Sequence, residues 1–244
     1  MQRFYVTSQD ISGDKITITE KDQVHHIHNV LRLKAKEEVV FFDHKSNEYK
    51  TEILKSSSQS IILKIKERKK GITTEKAGIT IACAIPKKSK IDDIIDKLTQ
   101  LGVDRIIPLK TKRVIVNLDD KKRQTRLMRW QKIAQNASLQ SQRNNFPIIE
   151  PVKDIKEVLA ESGDFDLKLI PTLLGERESL KNILTKFKYK NILVLIGPEG
   201  DFTPEEVALA KQAGCIPVSL GDLVLRVETA AIATISFIRF YAEG

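Results

Sequence analysis

Two glycine turns near the carboxyl end contain the residues best suited to binding a ligand. The first turn, GPEGD, begins at Gly197 and directly follows the apolar stretch NILVLI, which is typical of a buried strand. After the turn, Thr203 and Glu206 have the spacing of a capping box, which predicts that a helix begins there. Ligands of open α/β sheets lie outside the carboxyl ends of strands, where this turn must lie. A tight strand-to-helix connection without a ligand explains this turn equally well.

The first turn is acidic, and this restricts the ligands that it could bind. Glu199 and Asp201 would repel a phosphate, and the turn lacks both the lysine of a GxxxxGK[ST] loop and a complete GxGxxG. Carboxylates suit hydroxyl donors and cations instead. S-adenosylmethionine offers a ribose diol, an ammonium and a sulfonium, so the turn favours this cofactor and argues against a nucleotide-binding ATPase.

The second turn, SLG, ends at Gly221 and is followed by a mostly apolar segment. We predict that a largely buried helix begins there, near Arg226 or Glu228. The first backbone amides of a helix have no partner within it, so Arg226, Glu228 and Thr229 could meet a ligand at this helix start. The alternative is an ordinary core helix, in which Glu228 only interacts favourably with the helix dipole.

Two regions of different pattern must position these turns. Residues 1–72 contain short segments typical of strands, separated by turn residues. One helix is predicted among them, because Val24, Ile27, Val30 and Leu31 recur at helical spacing. Residues 73–244 alternate strands with helices, which predicts an α/β domain with a mainly parallel sheet. The boundary falls in ERKKGITTEKAG, which has no periodicity.

Positive charge is concentrated upstream of the glycine turns. The net charge is +9, and residues 84–150 contain 15 Lys and Arg against 7 Asp and Glu, whereas residues 196–244 contain 3 against 7. A helix is predicted in this basic region, with an apolar face of Leu127, Trp130, Ala134 and Ala137 and a charged face of Lys122, Arg126 and Arg129. Such a charged face is usually only solvated, but in this region we expect it to contact RNA phosphates.

Other residue types exclude several classes of protein. Cys83 and Cys215 lie in apolar sequence and are predicted to be buried free thiols. No metal site is predicted, because His25, His26 and His28 have no acid or cysteine at ligand spacing. The chain has no secretion signal and no stretch of eighteen uncharged apolar residues, so we expect a cytoplasmic protein that does not contact a membrane.

Taken together, IGPEGDFTPEE and SLGDLVLRVETA resemble two signatures of the RsmE family, which methylates the N3 atom of a uridine in 16S ribosomal RNA of the small ribosomal subunit. The similarity extends over essentially the whole chain, through RFY, HNVLR, KSKIDDIIDKLTQLGVDRIIP and LQSQRNNFP. It implies a small PUA-like β-barrel that binds RNA at residues 1–72. It also implies an α/β, SPOUT-type, trefoil-knotted methyltransferase domain at residues 73–244, with S-adenosylmethionine as cofactor, in a homodimer.

The resemblance also implies which residues form the site. Those implied to bind the cofactor are Thr172, Leu173, Ile196, Gly197, Pro198, Glu199, Gly200, Ser219, Leu220, Gly221, Leu225, Arg226, Glu228, Thr229 and Ala230. We give Arg226 the catalytic role of stabilising negative charge that develops on the uracil, with Arg143 as the alternative. The residues that we predict to contact RNA are Arg3, His28, Arg32, Lys88, Arg113, Arg126, Arg129 and Arg143.

The sequence departs from the family pattern at four positions. Asp201 stands where a third glycine is usual, Leu223 where a basic residue is usual, Val227 where threonine is usual and Asn136 where an acid is frequent. The first three bear on how the turns wrap the cofactor. The glycine turns themselves and Arg226 are retained.

Two other functions stay open on the sequence alone. One is a methyltransferase of the same superfamily that acts on a ribose 2′-hydroxyl, which nucleoside analysis of the product would distinguish. The other is a non-catalytic RNA-binding protein that assists ribosome assembly, which would not bind S-adenosylmethionine.

Overall fold

The computed structural model of the chain describes residues 3–43, 47–70, 77–86, 91–113, 120–143, 145–185 and 189–243. The predicted RNA contact Lys88 and the boundary predicted between residues 72 and 73 lie outside these residues. Two compact units are present, Met1–Thr74 with Ser138–Phe146, and Glu75–Ala137 with Pro147–Gly244. The stretch Ser138–Phe146 therefore groups with the first unit although it follows residue 73 in the chain.

The first unit contains a six-stranded sheet. Its strands are β1 (Arg3–Tyr5), β2 (Ile11–Ser12), β3 (Lys15–Ile18), β4 (Glu38–Phe42), β5 (Glu48–Ser56) and β6 (Ile61–Lys69). They lie in the order β1-β4-β5-β6-β3-β2, with only the β1–β4 pair parallel among the described pairs. Alternate residues of β5, Tyr49, Thr51 and Ile53, are buried, as the period of a strand requires. The predicted β-rich region is confirmed.

The predicted helix of the first unit is present, but it changes form along its length. It begins as α1 (Lys21–His25) and continues as a π-helical turn over His26–Val30, in which Leu31 N donates to His26 O at 2.9 Å. Val24 and Ile27 are buried as predicted. Val30 is 56 % exposed, so its predicted place on the apolar face is wrong. The wider i to i+5 turn rotates this residue away from the core.

The second unit contains a larger sheet in which every described pairing is parallel. Its strands are β7 (Gly78–Ala84), β8 (Arg105–Lys110), β9 (Ile148–Ile149), β10 (Lys153–Asp154), β11 (Leu167–Pro171), β12 (Glu178–Ser179), β13 (Asn191–Ile196) and β14 (Ile216–Ser219). The order is β10-β8-β7-β13-β11-β14-β12, and β9 pairs with β8. The predicted parallel sheet is confirmed, and the carboxyl ends of β13, β11 and β14 lie side by side.

The helices of this unit include those predicted after each of the two glycine turns. They are α2 (Ile91–Gln100), α3 (Asp120–Gln140, which continues into the first unit), α4 (Ile155–Ala160), α5 (Leu180–Leu184), α6 (Pro204–Gln212) and α7 (Val227–Glu243). At the start of α6, Thr203 Oγ1 accepts from Glu206 N at 3.3 Å, and Glu206 Oε2 accepts from Thr203 N at 2.8 Å. The predicted capping box is confirmed.

Apolar side chains cover both faces of the large sheet in two clusters. Cys83 and Cys215 are buried there, as predicted. Burial raises the pKa of the Cys83 thiol to about 12 and that of Cys215 to about 11. Both thiols therefore stay protonated at neutral pH and are unreactive.

None of the described helices has the length and apolar character needed to cross a membrane.

Helix α3 is fixed to the second unit by Trp130. This side chain is 1 % exposed, and its indole Nε1 donates to Asp92 Oδ1 of α2 at 3.1 Å. Ala134 and Ala137 are buried on the same side of α3. The apolar face predicted for this helix is confirmed, and the charged face is left exposed.

Replacing Trp130 with alanine should lower the free energy of unfolding by about 3–5 kcal/mol, because a large buried side chain leaves a cavity. Urea unfolding followed by circular dichroism measures this change. Met128→Ala is the matched control on the same helix, since Met128 is 57 % exposed and its truncation should change stability by less than about 0.5 kcal/mol. Equal losses in the two variants would contradict the packing described.

Candidate active site

A cleft opens where β11, β13 and β14 end. Its empty volume is about 600 Å³, which includes the part open to solvent. Residues after all three strands line it, because parallel neighbours direct their carboxyl ends to the same edge. The two glycine turns singled out in the sequence thus border one cavity.

The cleft contains ten of the fifteen residues expected to bind a cofactor. These ten are Thr172, Leu173, Ile196, Gly197, Pro198, Glu199, Leu220, Gly221, Leu225 and Ala230. The other five, Gly200, Ser219, Arg226, Glu228 and Thr229, are not among the lining residues. Lining residues beyond the expected set include Pro171, Arg177, Asp201, Val218, Leu223, Val224 and Val227. Val218 directly precedes the second turn, a local signal that could have identified it.

The first turn is compact. Asp201 N donates to Pro198 O at 2.9 Å, and the buried Phe202 ring lies beneath Gly197. A Cβ on Gly197 would stand 3.0 Å from two carbon atoms of that ring. Glycine at this position therefore serves close packing.

The two acids of this turn have different surroundings. Asp201 Oδ2 accepts from Thr172 Oγ1 at 2.9 Å and from Leu173 N at 2.7 Å, and its Oδ1 accepts from Phe202 N at 2.8 Å. Both oxygens of Asp201 thus bind the protein itself. Glu199 is exposed at the edge of the cleft.

Arg113, predicted to contact RNA, lies against the first turn. Its guanidinium Nη1 donates to Gly200 O and lies 3.5 Å from the carbonyl oxygens of Asp201 and Phe202. Its neighbour Lys112 donates its backbone N–H to Glu206 Oε1 of α6 at 2.9 Å. The segment after β8 therefore supports the outer side of this turn.

The second turn is closed by its own serine. Ser219 Oγ accepts from Gly221 N at 3.2 Å and lies 3.2 Å from Gly221 O, and the φ of Gly221 is +116°. Ser219 is thus engaged within the turn, which explains why it does not line the cleft. Arg226 is exposed just before α7, and its carbonyl accepts from Ala230 N at 2.8 Å. Glu228 lies close enough to Cys83 for its charge to add to the raised pKa of that buried thiol.

Three predicted RNA contacts lie in the sheet region of the first unit. Arg3 pairs with Glu48 at 2.9 Å, and its guanidinium lies 5.6 Å from the centroid of the Phe42 ring. His28 Nδ1 is 2.9 Å from Ser56 Oγ. His28 and Arg32 line one surface cavity with the lysines Lys34 and Lys55.

The remaining described RNA candidates lie on or after α3. Arg126 is exposed, and Arg129 pairs with Asp92 at 2.5 Å while its side chain stays 69 % exposed. Arg143 is half-buried, with Nη2 donating to Asn145 Oδ1 at 3.3 Å.

Across the described part of the chain, no group of three His, Cys, Asp or Glu residues could hold a metal ion.

Residues 73–239 match the RNA methyltransferase domain family, and residues 18–66 match the RNA methyltransferase PUA domain family. The chain is 30 % identical over 250 residues to ribosomal RNA small subunit methyltransferase E of Bacillus subtilis, covering 100 % of this chain and 98 % of that protein. It is 32 % identical over 238 residues to the protein of the same name from Rickettsia conorii, covering 97 % and 94 %.

Solved structures resemble the whole chain as well. Ribosomal RNA small subunit methyltransferase E from Neisseria gonorrhoeae, bound to S-adenosyl methionine, superposes with a TM-score of 0.85 at 28 % identity, covering 98 % of this chain and 97 % of that one. A Legionella pneumophila protein in complex with the bound cofactor SAM has a TM-score of 0.86 at 27 % identity, with coverage of 98 % and 96 %.

Replacing Gly197 with alanine should lower the free energy of unfolding by about 1–3 kcal/mol, because the added methyl group overpacks against the buried Phe202 ring. Urea unfolding measures the loss. Gly163→Ala is the control, since a Cβ there meets no atom within 4 Å and should leave stability within about 0.5 kcal/mol of the parent protein. If Gly197→Ala were as stable as the control, the close contact would be refuted.

Proposed function

We propose that this chain, which belongs to the RsmE family of ribosomal RNA small subunit methyltransferases, uses S-adenosylmethionine to methylate ribosomal RNA. The proposed target is the N3 atom of a specific uridine in 16S ribosomal RNA. The observation that supports this most is the cleft at the carboxyl ends of β11, β13 and β14. Its two turns come from the sequence motifs that resemble the family. The activity belongs in the cytoplasm, where bacterial ribosomal RNA is found.

The residues of the cleft fit S-adenosylmethionine better than a phosphate ligand. Leu173, Val218 and Leu220 line the cleft and would offer apolar contact to an adenine ring, and backbone amides and carbonyls of the turns would bind its polar edge. Glu199 supplies a carboxylate suited to an ammonium or to a ribose hydroxyl. The cation among the described lining residues is Arg177, whose Nη1 already donates to Thr172 O at 3.2 Å, and these residues lack the lysine of a phosphate-binding loop. The solved Neisseria and Legionella relatives hold this cofactor.

When bound, S-adenosylmethionine supplies a methyl group activated by its sulfonium. The residues of the cleft then have to hold the uridine N3 in line with the departing sulfur, so that positioning lowers much of the barrier. N3 loses its proton during the reaction, and negative charge develops on the uracil oxygens. We assign the stabilisation of that charge to Arg226, whose guanidinium is exposed between Leu225 and Val227 of the cleft wall.

The RNA-binding role falls to cations in both units. Residues 1–72, with Arg3, His28 and Arg32, form the proposed RNA-binding domain, and α3 contributes Arg126 and Arg129. Lys88, Arg113 and Arg143 complete the proposed set. Because N3 lies on the pairing edge of uracil, the target base must be unpaired or turned out of a helix to reach the cleft.

A homodimer is the proposed assembly. Four large apolar side chains are exposed in the segment after the second turn and on α7: Leu223 at 78 %, Val224 at 73 %, Phe237 at 53 % and Phe240 at 76 %. Leu223 and Val224 are neighbours in the chain, and Phe237 and Phe240 are three residues apart on one helix; adjacent exposed apolar groups of this kind are typical of interaction surfaces. Leu223 and Val224 also line the cleft, so a second copy that covers them would complete its wall.

Methyl transfer to ribosomal RNA from a strain that lacks this protein tests the proposed activity. Mass spectrometry of the product nucleosides should find N3-methyluridine at one site. A 2′-O-methylated nucleoside would instead indicate the ribose methyltransferase. No transfer, together with no heat of S-adenosylmethionine binding in calorimetry, would indicate a non-catalytic assembly factor.

Replacing Arg226 with alanine should reduce kcat for methyl transfer by about 10²–10³-fold, the usual effect of removing a group that stabilises developing charge. The Kd for S-adenosylmethionine should change by less than about tenfold, or 1.4 kcal/mol. Single-turnover transfer and calorimetry measure the two quantities. Arg226→Lys, which keeps the charge, should recover part of the rate. Equal losses of rate and cofactor affinity would refute the assignment.

Replacing Phe240 with aspartate should convert the protein to a monomer, because a charge placed in an apolar interface is desolvated without a partner. Sedimentation velocity measures the state of assembly. Met128→Asp is the control, since Met128 is 57 % exposed on α3 and is not among the residues of the proposed dimer interface. A monomeric parent protein, or a dimer unaffected by Phe240→Asp, would contradict the proposed interface.

A further inference from the structure

We infer that Asp201 is a positioning residue, which joins the turn after β13 to the loop after β11 and so fixes two walls of the cleft before a cofactor binds. This inference rests on the proposed function, since it assigns Asp201 a role in binding S-adenosylmethionine. Asp201 lines the cleft, but the structure directs its carboxylate to the protein.

The backbone of Asp201 indicates that its side chain has a specific role. Its φ is +61°, in the left-handed region that glycine adopts most readily. Three other described residues that are not glycine share a positive φ, namely Arg32, Lys36 and Gln142, and none of these lines the cleft. Glycine would satisfy this backbone with less strain, but the aspartate provides side-chain contacts that glycine lacks.

Those contacts connect two loops that are distant in the sequence. Oδ2 accepts from Thr172 Oγ1 and Leu173 N, while Oδ1 accepts from Phe202 N in its own turn. The hydroxyl of Thr172 is oriented in turn, because it also accepts from Leu174 N at 3.2 Å. Hydrogen bonds to a carboxylate are stronger than those between neutral groups. One side chain thus holds together the loops that follow two neighbouring strands.

Further contacts restrain the same two loops. The Arg113 guanidinium donates to Gly200 O on the first turn, and Arg177 Nη1 donates to Thr172 O at 3.2 Å on the other loop. Each loop is therefore held by a guanidinium, and the Asp201 carboxylate joins one loop to the other. A cleft that is already shaped does not lose loop entropy when its ligand binds, so this link should raise cofactor affinity.

A direct contact between Asp201 and a cation of the cofactor is the competing role, and substitution separates the two. Asparagine tolerates a positive φ and retains one side-chain oxygen that can accept from Thr172 and Leu173, which keeps the link between the loops. It carries no charge, and its amide nitrogen cannot accept from Phe202 N within the first turn. Glycine relieves the backbone and removes the link. A positioning role therefore predicts that Asp201→Asn preserves most of the affinity, whereas a direct cation contact predicts that both variants lose it.

The experiment compares Asp201→Gly, Asp201→Asn and the control Asp164→Gly in the full chain. Asp164 is an exposed turn residue before β11, at the opposite edge of the sheet from the cleft. Calorimetry measures the Kd for S-adenosylmethionine, and hydrogen exchange of the ligand-free proteins measures protection of the Leu173 and Phe202 amides. We expect Asp201→Gly to raise Kd about ten- to thirtyfold, which is the effect of removing a hydrogen bond to a charged group. Amide exchange should also become faster at Leu173 and Phe202. Asp201→Asn should stay within about threefold of the parent protein, and the control should match it.

Three results would overturn the inference. The first is a parent protein that binds S-adenosylmethionine with an affinity that Asp201→Gly leaves unchanged. The second is an Asp201→Asn variant as impaired as Asp201→Gly, which would favour direct contact with the cofactor. The third is unchanged amide exchange in Asp201→Gly, which would refute the link between the loops. A parent protein that does not bind S-adenosylmethionine would refute the proposed function as well, while faster exchange in Asp201→Gly would still show the link.

Discussion

The parallel alignment of β13, β11 and β14 is the constraint on which the rest of the site depends. Because these neighbours run in one direction, the chain leaves all three at the same edge of the sheet, at Ile196, Pro171 and Ser219. Loops separated by up to about fifty residues in sequence therefore border one cleft. Strand direction alone brings the two glycine turns together, and each turn then leads into a helix whose start is fixed by the sequence.

The edge of the sheet determines where the cleft lies. Its shape depends on polar contacts around the two turns. Ser219 closes the second turn upon itself, and the Arg113 guanidinium supports the first from outside. The Asp201 carboxylate joins the first turn to the loop at Thr172. The acidic turn and the basic face of α3 carry opposite charges. The negative charge of the turn suits a cationic cofactor, and the positive charge of α3 suits the phosphates of RNA.

Much of the fold was predictable because its signals are local. Strand alternation, the capping box at Thr203 and the stripe around Trp130 depend on residues a few positions apart, and the resulting elements are confirmed. The predicted fold class is confirmed too: a PUA-like domain precedes a SPOUT-type α/β domain with a parallel sheet. The π-helical turn that exposes Val30 and the contacts of Arg113 and Asp201 were not predictable in this way. They depend on backbone geometry and on partners 28 to 89 residues away, which spacing in the sequence does not reveal.

The most direct test of the central claim is a crystal structure of the protein grown with S-adenosylmethionine. We predict cofactor density in the cleft, between the turn at Gly197–Asp201 and the turn at Ser219–Gly221, with the Asp201 link to Thr172 intact. Density for the cofactor at any other place on the chain, or its absence at a saturating concentration, would contradict the claim that the carboxyl ends of these three strands form the methyl-donor site.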